Sequence, residues 1–230
     1  MIPGPDLSVH RVGESAAARA ADTAEWALRV LADPEACPRA VLHPLGFLCF
    51  PLKRGRGVGV CVHVWLPRRA EFAPALATTS IHSHSWDLLS LVLLGRMGNE
   101  LVDAATSGEA EATHRVYEIR SVRGADEVVP TSRCVRSSRR EIRYAGPGEV
   151  YQLAGGEFHT SVVEDAGCVA TVLLADSRGG VDRSLGPVEP GRAAGPVPRR
   201  HAEPTLSKLA IQTVLDRSAQ LQLTVPSPPC

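Results

Sequence analysis

IHSHSWDLLSLVLLG, residues 81–95, places two histidines one residue apart at the head of an apolar run that closes on glycine. Alternate residues of a β-strand point to the same face, so this spacing projects His82 and His84 in one direction with their ring nitrogens close together. That arrangement supplies half of a metal site. A third donor has to come from elsewhere in a sheet, and GEVYQLAGGEFHTSVV, residues 148–163, offers His159 just after a Gly-Gly turn at the start of another strand.

The surrounding text reads as β structure. From residue 41 the chain breaks into short, β-branched segments such as GVGVCVHVWLP, THRVYEIRSV, REIRYAG and CVATVLLAD, separated by turn residues and with no helical stretch between them. Many short strands at such spacing predict an antiparallel sandwich or barrel. Before them, ESAAARAADTAEWALRVLAD (residues 14–33) repeats Ala20, Ala24, Ala27, Leu28 and Leu31 at helical spacing until Pro34, which predicts an N-terminal helix. Residues 176–204 are rich in Gly, Pro and Arg, a composition that disfavours strand and helix and predicts an extended surface arm. PTLSKLAIQTVLDRSAQLQL then sets Leu206, Leu209, Ala210, Thr213 and Val214 on one helical face. This second helix covers either the barrel or a neighbouring subunit, and both remain open. The expected division is a helical segment over residues 1–40, a barrel over 41–176, and an arm plus helix over 177–230.

Composition narrows the classes of function. With 230 residues, 44% of them hydrophobic and 22% charged, the chain is long enough for a buried core. Lys and Arg balance Asp and Glu at 25 each, so no overall charge draws it to nucleic acid or to anionic lipid. Cys37, Cys49, Cys61, Cys134, Cys168 and Cys230 are scattered without a C-x-x-C pair, which argues against a zinc knuckle or a thioredoxin-type motif. Free thiols fit a reducing compartment. The N-terminus lacks a basic-then-apolar leader, and no apolar run approaches the roughly 20 residues of a membrane span, so a cytoplasmic protein is expected.

The two histidine segments together resemble the cupin motifs. His82, His84, Leu88 and Gly95 occupy the histidine, histidine, glutamate and glycine positions of the first motif, with the glutamate replaced. Gly148, Ala154, Gly156 and His159 occupy the glycine, proline, glycine and histidine positions of the second; the proline is replaced, and Val163 stands where an asparagine usually follows. The resemblance implies an all-β fold, a cupin double-stranded β-helix (jelly-roll barrel), flanked here by the N-terminal helix and by the C-terminal arm plus helix. It also implies a metal held by His82, His84 and His159. Without the glutamate the ligand set is three neutral imidazoles, which among cupins is similar to the thiol (cysteine) dioxygenases. VCVHVWLP followed by TSIHSH, and Tyr151 ahead of His159, agree with that pattern. Leu88 departs from it, since the crosslinked enzymes carry cysteine there, and no substrate-carboxylate arginine precedes Trp65. The resemblance therefore implies the metal site and the oxygenase class, and not cysteine as substrate.

Other residues carry paired readings. Asp87 is either a ligand swung in by a bulge or, by preference, a carboxylate that orients a histidine or faces solvent. His63 alternates with Cys61 and Trp65 and either lines the interior as a proton carrier or is an ordinary core histidine. Arg143, one of the run Arg133, Arg136, Arg139, Arg140 and Arg143, either binds a substrate carboxylate or discourages aggregation along an edge strand. Tyr151 offers a hydroxyl inside the barrel or simply packs there. His43 and His114 lie in turn-like text, His10 and His201 in irregular segments, and none is given a role. The expected function is a mononuclear non-haem Fe(II) oxygenase acting on a small polar molecule with dioxygen. Ni, Mn, Zn and Cu are alternative metals, and a non-redox isomerase, decarboxylase or lyase, or a ligand-binding cupin without catalysis, are alternative functions. The strand edges also permit a homodimer.

Overall fold

The chain, seen in a computed structural model, is described over residues 15–55, 57–67, 77–163, 167–191 and 196–222. His10 and Cys230 lie outside these residues. Helix α1 (Ala16–Ala32) starts where Ser15 caps it, the hydroxyl accepting from the Ala18 amide at 3.1 Å, and it stops ahead of Pro34.

Two antiparallel sheets follow. The first runs from edge to edge as β14 (Arg200–His201), β1 (Val41–His43), β2 (Phe47–Arg54), β3 (Val58–Trp65), β11 (Val169–Ser177), β5 (Trp86–Leu94) and β9 (Val150–Leu153). The second runs as β13 (Val197–Pro198), β8 (Ala125–Ala145), β6 (Met97–Thr106), β10 (Phe158–Val163), β4 (His82–Ser83), β12 (Asp182–Gly186) and β7 (His114–Val122), with β7 also paired to β8. From β3 onward the chain passes back and forth: β3, β5, β9 and β11 lie in the first sheet, and β4, β6, β10 and β12 in the second. That alternation winds a jelly-roll, as the sequence predicts.

Runs such as LLSLVLL are apolar on both faces of the strand because the first sheet is covered on both. Leu48, Phe50, Val60, Val62, Val64, Ala170, Val172 and Leu174 point outward and pack against Trp26, Ala27 and Val30 of α1 and Leu206, Ala210 and Val214 of α2 (Pro204–Gln222). Helix α2 thus covers the barrel itself. The alternate residues Leu88, Ser90, Val92, Thr171 and Leu173 point inward and are also buried. Glycine is required where the chain turns from β5 in the first sheet to β6 in the second: Gly95 has φ 72°, and a Cβ there would lie 2.5 Å from the Cys168 carbonyl oxygen.

One expectation is corrected. Residues 182–186, inside the segment read as an irregular arm, form β12 between β4 and β7, with Leu185 fully buried. Gly179 and Gly180, both at positive φ, turn the chain into this strand, and Pro187 follows its end. A strand of five residues bracketed by turn formers disappears when composition is averaged over the whole segment.

Candidate metal centre

His82 and His159 are direct partners across the β10–β4 pairing, so their side chains leave the second sheet on one face, with ring centroids 4.4 Å apart. His84 arrives differently from the way the spacing predicts. Strand β4 ends at Ser83, and His84 sits in the turn that carries the chain across to β5 in the first sheet. The imidazole still converges, 4.8 Å from His82 and 5.2 Å from His159 between centroids. One ligand atom from each of the three lies within 4.8 Å of the others.

Backbone contacts clamp that turn. The Gly156 amide donates to the His84 carbonyl at 2.7 Å, and the Ser85 amide and hydroxyl donate to one Asp182 oxygen at 2.8 and 2.9 Å. Gly156, at φ 84°, adopts the left-handed conformation that lets the turn before His159 reach His84. Asp87 completes the clamp from outside. Its carboxylate accepts from the Gly155 amide at 2.8 Å and from the Arg178 guanidinium at 2.7 Å, and these two partners, the Gly155 amide first, hold it below the usual carboxylate range. Asp87 is not in the ligand group. It ties down the turn that delivers His159.

The donor chemistry fits a transition metal. Nδ1 of His82 lies 2.9 Å from the Ser80 carbonyl and Nδ1 of His159 lies 3.1 Å from the Glu157 carbonyl. A ring nitrogen meeting a carbonyl oxygen must carry the proton, so Nε2 of each ring keeps its lone pair for a cation. Burial pushes all three imidazoles down: His82 below its ordinary value, His84 well below, and His159 to about 3, where the neighbouring His82 adds to the effect. At neutral pH the site is therefore three neutral bases with no proton to displace. Leu88, at the position of the cupin glutamate, is buried among Leu101, Leu153 and Leu173 and offers no oxygen.

The remaining expected residues distribute around this group. Tyr151 faces inward from β9 on the opposite wall, beside Ser90, Thr171 and Asn99; burial chiefly holds its hydroxyl above the ordinary tyrosine range. His63 also lies on the inner face of the first sheet, but groups with Cys49 and Cys61 rather than with the three histidines. Arg143 lies apart from the three histidines: its side chain is 57% exposed and donates to the Glu141 carboxylate at 2.6 Å. Cross-strand placement beside Asn99 does not turn this long side chain inward.

Two residues escape the sequence patterns. Trp86 stacks on His84 at 5.3 Å with planes 12° apart, and its buried indole N–H has no partner, leaving a donor beside the centre. Its place two residues after His84 was a signal, obscured by the turn between the sheets. His43, read as a turn residue, is stacked on Phe47 at 4.2 Å, and burial drives it down to about 3.

Protein-family models and curated proteins give no match to this chain. Among solved structures it is similar to the polyketide cyclase RemF from Streptomyces resistomycificus, with 16% identity over 64% of this chain and 73% of that one and a TM-score of 0.35. It is also similar to Peruvianin-I, a cysteine peptidase from Thevetia peruviana latex (12% identity, 62% and 58% coverage, TM-score 0.29). A protein of unknown function with a cupin-like fold from Ralstonia eutropha gives 14% identity, 86% and 94% coverage and a TM-score of 0.28. At these values the class rests on the molecule's own two alternating sheets and their histidines. The chain has a cupin-like jelly-roll fold, with a three-histidine group able to bind a metal ion. No helix among the described residues is long and apolar enough to cross a membrane.

Proposed function

We propose that the chain is a metal-dependent enzyme, a mononuclear non-haem iron oxygenase in which His82, His84 and His159 hold Fe(II) and a small polar molecule is the substrate. The observation that carries this reading is the convergence of three neutral imidazoles, two buried and His84 half-buried, with the Nδ1 positions of two tied to backbone carbonyls. When bound, an iron(II) ion would supply binding and activation of dioxygen and substrate at the positions the histidines leave open. Three neutral ligands leave the ion's charge uncompensated, so the substrate class favoured is one with an ionisable donor such as a carboxylate, enolate or thiolate. Around it the protein orients: the Trp86 indole N–H offers a hydrogen bond beside His84, and the Tyr151 hydroxyl, kept protonated by burial, stands on the facing wall as a proton donor. The leucines around Tyr151 limit competing water.

That protonated Tyr151 also suits a second reading, non-redox isomerisation or lyase chemistry with a Lewis-acid ion, which needs an acid and no oxidant. The two separate in one experiment. Protein loaded with Fe(II) or with Zn(II) is offered a panel of small carboxylates, enols and thiols, with and without air, while oxygen uptake and product are followed. Oxygen uptake coupled to product only with Fe(II), and absent in His82→Ala, supports the oxygenase. Turnover that persists with Zn(II) and without air overturns it in favour of the non-redox enzyme.

A further inference from the structure

The inner face of the first sheet holds a second group of ligand-type side chains that the three-histidine centre does not use. Cys49 on β2 and His63 on β3 are direct cross-strand partners, and Cys61 precedes His63 by two residues on the same face of β3. One ligand atom from each of the three lies within 4.8 Å of the others, and both cysteines are free thiols. No residue is shared with the His82 group. The Phe47 ring packs against His63 at 4.5 Å with the planes tilted by 39°.

Packing does not require these residue types. The core that β2 and β3 share with the helices is made by Leu48, Phe50, Val60, Val62 and Val64 on the other face, and an inward-facing valine or alanine would fill the same positions without polar atoms. The local chemistry also prepares the sulfurs. The Cys61 thiol lies well below its ordinary value, chiefly through the hydrogen bond from Cys49, with His63 and Arg54 adding to the effect against burial. The same Cys49–Cys61 bond pushes Cys49 up.

We infer that Cys49, Cys61 and His63 form a second metal site inside the barrel, which takes a soft divalent ion of the zinc type with two sulfurs and one nitrogen as ligands. Two sulfurs and an imidazole supply three corners of a tetrahedron and leave the fourth for a water or small ligand from the barrel interior. The absence of any carboxylate in the group disfavours magnesium and calcium. This site stands or falls separately from the oxygenase reading, because its donor set is different.

Cobalt(II) is the probe that separates the two centres, since thiolate-to-cobalt charge transfer absorbs in the near ultraviolet and a centre of three imidazoles has no such band. Full-length reduced protein is titrated with Co(II), and the spectrum is read beside the number of ions bound per chain. The wild type is expected to show the charge-transfer band, which Zn(II) then bleaches. His82→Ala should keep the band while losing an ion, whereas Cys61→Ser should lose the band and keep the ion at the three histidines. Cys49→Ala, which leaves a small apolar side chain at a buried position, serves the same purpose if the serine variant fails to fold. No band in the reduced wild type, a band that survives Cys61→Ser or Cys49→Ala, or thiol counting that finds Cys49 joined to Cys61 in a disulfide would each overturn the second site.

Discussion

The two sheets of the barrel divide the work unequally. The first is buried on both faces, by the helices outside and by the barrel interior within, and its strands are close to continuous hydrophobic text. The second holds two of the three histidines and takes no part in the helix-covered core, while its longest strand, β8, sets a row of arginines against Glu100, Glu141 and Glu157. The helix-covered core is thus concentrated in one wall, and the three histidines lie on the other or in the turn between them. A site can be retuned on the second wall with small effect on the fold that carries it.

The sharpest way to break that comparison is to change one residue of each kind. His159→Ala is expected to abolish metal binding at the three-histidine centre, read by elemental analysis of purified protein as one ion fewer per chain, while leaving the unfolding midpoint of the metal-free form close to wild type. Leu174→Ala, on the helix-covered face of the first sheet, should do the reverse: metal is retained and stability falls by about 2–5 kcal/mol in urea denaturation. If the histidine variant unfolds instead, the division of labour is wrong.

Acid should act on both walls together. His43 in the first sheet and His159 in the second are each held down to about 3, against about 6.5 in the unfolded chain. As pH falls below 6.5 the unfolded state takes up these protons first, so stability that is complete above 6.5 is lost progressively towards 3. The slope approaches about 1.4 kcal/mol per pH unit for each ring in metal-free protein. Urea midpoints measured at intervals across this window test it, and His43→Gln should remove the share of the first wall alone. Smaller still is Asp87→Asn, which weakens the acceptor for the Gly155 amide and for Arg178. Its expected effect is a metal affinity about 10-fold lower, read by chelator competition, with the fold intact. Arg136→Ala, exposed on β8, is expected to change stability by no more than about 0.5 kcal/mol and metal affinity not at all.

These contrasts also show which features the sequence made legible. The His82, His84 and His159 group could be read because its signals are local, two histidines one residue apart and a glycine turn running into a third. The jelly-roll could be read from many short strands without intervening helices. The Cys49, Cys61 and His63 group could not, since it exists only through the β2–β3 register that sets Cys49 opposite His63, and no spacing along the chain displays that register. Strand β12 was hidden by the glycines and proline around it.

Strand β12 has a consequence for the order in which the molecule is made. The two-residue β4 meets β10 only at His82, and its other neighbour is β12, through Ser184 opposite His82 and Arg183 opposite Ser83. A nascent chain halted near Ser177 would already contain every histidine of the centre, yet His82 would lack the strand that flanks it and Ser85 would lack the Asp182 carboxylate. Assembly of the centre therefore waits until a late stretch of polypeptide emerges and threads back between two strands made long before.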